Sequence, residues 1–225
     1  MEQKKMALSN AIILTSILSL LVIALQIIGY FTVELEIFTI ALALIPICLG
    51  AFYGGPYVGM ILGGVFAVTT LCLPSSWELL KADAFATVVI FLAKGILTGY
   101  LAGLVFGLLT RVNKIFASFL GATVSCLVNT FVYLFGSIML MTDDITIISG
   151  SDVSGFKASS YWFWSNASAN FIFEFALTIF IAPLIFLAIE YLRRFIRKKY
   201  MKNKRHRYHR RPHYIEKSEN NDIRH

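Results

Sequence analysis

Apolar residues come in long unbroken runs along the chain, and the polar residues fall between them. The runs are continuous and show no period-two alternation, so they predict helices and argue against a membrane β-barrel. Several approach or exceed the roughly 20 residues that cross a hydrocarbon core as a helix. The pattern predicts six spans, at about 7–29, 37–53, 57–73, 84–109, 115–141 and 161–192. The second and third are short and meet at Gly54-Gly55-Pro56. Glycine there admits a positive φ, and proline presets a turn. The first run has a charged start but no small-residue cleavage site after it, so it reads as a span and not as a secretory leader.

Composition agrees, since 57% of the 225 residues are hydrophobic. A soluble domain of that size would have too little polar surface to stay in solution. Charge then orients the spans. Lys4 and Lys5 precede the first, Arg111 and Lys114 lie between the fourth and fifth, and 13 of the 20 Lys/Arg residues lie at 193–225. Glu34, Glu36, Glu78, Asp83, Asp143, Asp144 and Asp152 fall in the other connections, accompanied only by Lys81 and Lys157. The positive-inside rule therefore predicts an all-α integral membrane protein, a bundle of six transmembrane helices with both termini cytoplasmic. Trp77 and the run Tyr161-Trp162-Phe163-Trp164 agree with an outer interface. The domain expected is 1–192, followed at 193–225 by a basic cytoplasmic tail without stable structure. Anionic lipid headgroups are the expected partner of that tail, because no nucleic-acid-binding motif accompanies its charge. His206, His209, His213 and His225 all lie in the tail, and no metal site is expected. Cys48, Cys72 and Cys126 sit inside predicted spans without a CxxC, as small buried apolar residues do.

Two patterns inside the spans carry more information. Small residues recur every fourth position: Gly55, Gly59, Gly63 and Ala67; Gly95, Gly99, Gly103 and Gly107; and Ala7, Ala11, Thr15 and Ser19. Such stripes let helix backbones approach closely where lipid gives no hydrophobic drive. The first two are expected to pack within the bundle, whereas the stripe holding Ala7 and Ala11 is a candidate partner face. Polar groups at membrane depth are costly and usually functional. Lys94 and Glu174 are charges well inside spans, and Asn129 lies inside the fifth. Asn166, Asn170 and Glu174 follow at i, i+4 and i+8, a ladder covering about 12 Å of one helix face. Lys94 and Glu174 either form a structural ion pair or line a pocket open to the outside. No HExxH, GxSxG or P-loop is present, and no enzyme activity or cofactor is expected of this chain.

"IPICLGAFYGGPYVGMILGGVFA" across the second and third spans, "AKGILTGYLAGLVFGL" in the fourth, "VSCLVNTFVYLFG" in the fifth and "ALSNA" in the first together resemble the S component of energy-coupling factor (ECF) vitamin transporters. The resemblance covers about residues 5–192 and leaves out the basic tail. It implies a substrate-binding subunit in a prokaryotic plasma membrane, which captures a vitamin or related micronutrient from outside. It also implies docking, through the AxxxA of Ala7 and Ala11, on a transmembrane coupling subunit that works with two ATPases. ATP would be used by those partners. Loops at about 30–37, 74–84 and 142–160 would cap the pocket. Within the family the overall sequence leans toward the pantothenate, folate and riboflavin-like group. Lys94 would meet a carboxylate, and Asn129, Asn166 and Asn170 amide or hydroxyl groups. Trp162 and Trp164 would stack on a ring or anchor the interface. The rival readings are a stand-alone secondary transporter using Glu174 as a proton site and a membrane assembly protein that carries no solute.

Overall fold

A computed structural model of the chain describes residues 2–31, 41–140 and 170–209, which form helices and short connections with no strand among them. The helices are α1 (Glu2–Phe31), α2 (Leu44–Gly54), α3 (Pro56–Cys72), α4 (Trp77–Ala82), α5 (Ala84–Leu109), α6 (Lys114–Leu140) and α7 (Asn170–His209). Segments Ser9–Phe31, Ala84–Leu109, Lys114–Leu140 and Phe175–Lys199 are each long and apolar enough to cross a membrane. Their outward faces are apolar too: Ile12, Ile17 and Leu20 on α1, Phe131 and Met139 on α6, and Phe180 and Leu184 on α7 are all exposed. Polar residues inside and apolar residues outside are compatible with a multi-pass membrane protein.

Local chemistry sets the helix ends. Asp83 has extended backbone, and its carboxylate accepts from the Ala86 amide at 2.9 Å, which starts α5. Asn113 Oδ1 accepts from the Ile115 amide at 2.8 Å and starts α6. Gly55, at φ 88°, turns the chain between α2 and α3, and Pro56 opens α3. Two elements depart from expectation. The second predicted run becomes a 3-10 turn at Ala41–Ala43 and an α2 of only 11 residues, about 16 Å long, buried from Leu44 to Phe52. The predicted loop at 74–84 holds a 3-10 turn and α4, tied down by Ser76 Oγ donating to the Thr70 carbonyl at 2.7 Å and Thr87 Oγ1 donating to the Leu79 carbonyl at 2.9 Å.

The third departure lies in the basic segment. The chain divides into two compact units, Met1–Phe186 and Leu187–His225. In the second unit α7 stays helical to His209, where a tail without stable structure was expected from 193. No glycine or proline interrupts residues 184–211, and Lys, Arg and Met are good helix formers.

Within the bundle α3 and α5 meet backbone to backbone. A Cβ added at Gly59 would overlap the Gly99 carbonyl, and one at Gly63 the Gly95 carbonyl; each converse substitution clashes in the same way. Farther along, a Cβ at Gly103 would press on Pro56. Each step of four forward on α3 is matched by four back on α5, so the helices run antiparallel with their glycine stripes interleaved. α1 packs Leu18 and Val22 against Leu44, Ile47, Leu62 and Phe66 of α2 and α3. Gln26 of α1 is buried and donates to Thr70 Oγ1 at 2.7 Å, fixing α1 to the end of α3. α6 fits against α2 and α5, with Gly121 beside the Phe52 ring of α2 and the Ala102 carbonyl of α5, and Gly136 beside Ile90 of α5. Cys48 and Cys126 are buried as expected, whereas Cys72, the last residue of α3, is exposed.

Neighbouring glycines of α3 give a test. Around Gly64 an added Cβ meets nothing within 4 Å. Gly64→Ala is therefore expected to be neutral or to stabilise by up to about 1 kcal/mol. Gly63→Ala is expected to cost about 1–3 kcal/mol by overpacking. Unfolding of both purified variants in one detergent measures the difference, and equal stabilities would show that the α3–α5 contact is looser than described.

Candidate functional site

Lys94 lies in the middle of α5, about 15 Å from its start, and is only 7% exposed. Its ammonium sits among three rings, 4.2 Å from the centroid of Phe91, 4.6 Å from Tyr133 and 5.6 Å from Phe66. Phe91 comes from α5 itself, Tyr133 from α6 and Phe66 from α3, so three helices build the cage. The ring quadrupoles attract the cation and offset part of its lost hydration, by about 2 kcal/mol for a desolvated contact. Phe91 and Tyr133 also meet edge-on at 5.8 Å, which holds two walls of the cage in place.

One helical turn farther along α5 is Thr98, and one turn back from Tyr133 on α6 is Asn129, which is 4% exposed. Ser125 follows Asn129 by another turn and lies beside the buried Cys48 thiol of α2. Because Lys94 meets Tyr133 and the two helices run antiparallel, Thr98 and Asn129 share a level in the bundle.

An aromatic cluster closes the bundle below them. Phe52 and Phe106 stack at 4.5 Å, and Phe186 meets them edge-on at 5.7 and 5.3 Å. Tyr53 Oη donates to the Phe186 carbonyl at 3.1 Å. This cluster sets the register of α7. Phe106 lies three residues from the end of α5, yet Thr178 and Ala182, which precede Phe186 on α7, are fully buried. They stay inside the bundle only if α7 runs in the direction of α5. Eight residues, about 12 Å, separate Phe186 from Thr178 and equally Phe106 from Thr98. Thr178 therefore lies at the level of Thr98.

Of the residues singled out in the sequence, Lys94 and Asn129 are brought to neighbouring levels of one buried layer. Asn170 and Glu174 lie in the first turns of α7, and Glu174 is one turn before Thr178. Trp162, Trp164 and Asn166 lie outside the described residues, as do most of the connections at 30–37 and 142–160. Ala7 is helical in α1, and Ala11 is half-buried. Ala11, Thr15 and Ser19 flank the row Leu14, Leu18 and Val22 that packs on α2 and α3, so this stripe lies at the edge of the α1 contact.

Sequence reasoning missed Phe66, Phe91 and Tyr133, three rings among 19 Phe and 10 Tyr. Only Phe91, at i−3 from Lys94, carried a local hint. It also missed Thr98 and Thr178, since threonine in a span is common. Among the described residues no group of three His, Cys, Asp or Glu is placed to hold a metal ion.

No family model matches the chain, and no curated protein or solved structure is detectably similar to it.

The cage predicts energetic coupling. Phe91→Leu is expected to destabilise the parent by about 1–2 kcal/mol more than it destabilises a Lys94→Met background, the excess being the ring's contact with the cation. Unfolding of the four proteins of this cycle in detergent checks it, and a coupling near zero would remove the cation–π contribution.

Proposed function

We propose that this chain is the substrate-binding subunit of an ECF-type importer, which captures a small vitamin-like solute from outside. It works with a transmembrane coupling subunit and two ATPases. The observation that supports this best is the buried polar layer. A lysine, an asparagine and threonine hydroxyls converge from separate helices at the centre of an otherwise apolar bundle. Each such group is expensive at membrane depth, and a bundle needs none of them merely to pack. The aromatic cluster of Phe52, Phe106 and Phe186 lies about 18 Å beyond Lys94 toward the Gly55 end and forms a floor. Access is then from the Asp83 end.

In this reading all six apolar helices reach across the membrane, with the short, buried α2 as its core. The Gly55 turn, Arg111, Lys114 and the basic end of α7 face the cytoplasm. The solute is held between Lys94, Asn129 and the polar face of α7 that carries Asn170 and Glu174. Glycine-mediated contacts make α3 and α5 one rigid slab, which suits a subunit that reorients as a body. Docking on the coupling subunit is assigned to the face of α1 that carries Ala7 and Ala11.

Two measurements test the proposal. Asn129→Ala and Glu174→Gln are each expected to weaken solute binding about five- to a hundredfold, the cost of an unpaired buried group. Ala11→Trp is expected to abolish copurification with the coupling and ATPase subunits while leaving solute binding intact. Solute uptake by cells lacking those subunits would overturn the proposal and favour a stand-alone transporter.

A further inference from the structure

Six described threonines, Thr15, Thr69, Thr70, Thr87, Thr110 and Thr123, each donate their hydroxyl to the carbonyl four residues back in their own helix. This is the ordinary way a threonine satisfies itself in an apolar helix. Thr98 and Thr178 behave differently. Both are 0% exposed, and neither Oγ1 has a hydrogen-bond partner among the described residues. A buried hydroxyl in this state carries a penalty of about 1–3 kcal/mol, although rotation toward the helix would relieve it. The two belong to α5 and α7, and the Phe106–Phe186 contact places them at one level. They lie one turn inward of Lys94 on the way to the aromatic floor.

We infer that Thr98 and Thr178 are ligand-binding residues that face each other across the solute and take its inner end. This rests on the proposed function and deepens it. The end of the solute that passes Lys94 carries a hydroxyl, carbonyl or amide group, with which the two hydroxyls pair in place of their own helix carbonyls. Asn129, at the same level, adds an amide that both donates and accepts. The spacing of one turn, about 5.4 Å, separates this group from whatever part of the solute lies beside the ammonium. The site therefore selects a compact solute with polar groups at both levels and rejects a simple amphiphile of equal length.

The test uses the full chain purified in detergent, with Thr98→Val and Thr178→Val as nearly isosteric variants. Pantothenate and riboflavin are the hydroxyl-bearing probes, with and without a carboxylate, and octanoate has a carboxylate on an alkyl chain. Thermal unfolding without a probe is read first, then binding by calorimetry. Removing an unanswered buried hydroxyl is expected to leave unfolding unchanged or raise its midpoint. The same variants are expected to lose at least tenfold in affinity for whichever hydroxyl-bearing probe the parent binds, and Thr98→Ser to keep most of it. Octanoate is expected not to bind. Parent-like affinity in both valine variants, or octanoate binding as tightly as the other probes, would overturn the inference. So would a parent that binds neither hydroxyl-bearing probe yet still copurifies with ATPase subunits, and that result leaves the proposed function standing. Probe binding lost in the valine variants, in a chain that never associates with ATPases, supports the inference and removes the ECF assignment.

Discussion

The direct contact of two helix backbones, α3 against α5, is the constraint on which the rest of the bundle depends. Gly59 and Gly63 lie on Gly99 and Gly95 with no room for a single carbon between them. Apolar solvent gives helices no reason to associate for hydrophobicity alone, so close approach and dispersion must supply the attraction. The approach also fixes register, because a shift of one residue along either helix would drive side chains into the opposing backbone. With that register set, Phe66 of α3 is brought to the level of Lys94, and the third wall of the cage exists. α1 and α2 then pack on the remaining face of α3, and α6 on the remaining face of α5.

The buried layer turns this rigidity toward chemistry. An ammonium at the centre of an apolar bundle is tolerable only if its surroundings replace part of its hydration, and three rings from three helices do so. Below it the packing changes character, from hydroxyls and an amide at Thr98, Asn129 and Thr178 to stacked rings at Phe52, Phe106 and Phe186.

The three small-residue stripes show how one sequence pattern acquires different meanings. On α3 and α5 the middle of each stripe, Gly59 and Gly63 against Gly99 and Gly95, is mutually buried. On α1, Ala11, Thr15 and Ser19 are half-buried beside a contact made by larger neighbours, Leu14, Leu18 and Val22. Spacing by four states only that small residues share a face; which helix, if any, occupies that face depends on register and on the bulk of adjacent side chains. Gly64 and Gly107 are a further case, with open space where a Cβ would go.

Helix positions were legible from the sequence alone, because an apolar run must satisfy its backbone within itself and so must be helical. The limits of α5 and α6 came within one residue of the predicted ones, where Asp83 and Asn113 supply side-chain caps. Lys94 and Asn129 were legible as well, since a charge or an amide stands out within a run of leucine, valine and phenylalanine. The helix beyond residue 192 was not foreseen, although no glycine or proline interrupts residues 184–211. Nor were the aromatic cage, the 3-10 turn that precedes α2 and the two unanswered threonine hydroxyls. Phe66, Phe91 and Tyr133 look like any other aromatic residue until the α3–α5 and α5–α6 registers bring them around one ammonium. A threonine likewise declares nothing until the fold decides whether its hydroxyl bonds to its own helix or is left buried without a partner. Local pattern dictated where helices form and which residues are costly inside them, whereas contacts between helices distant in sequence decided what those residues face.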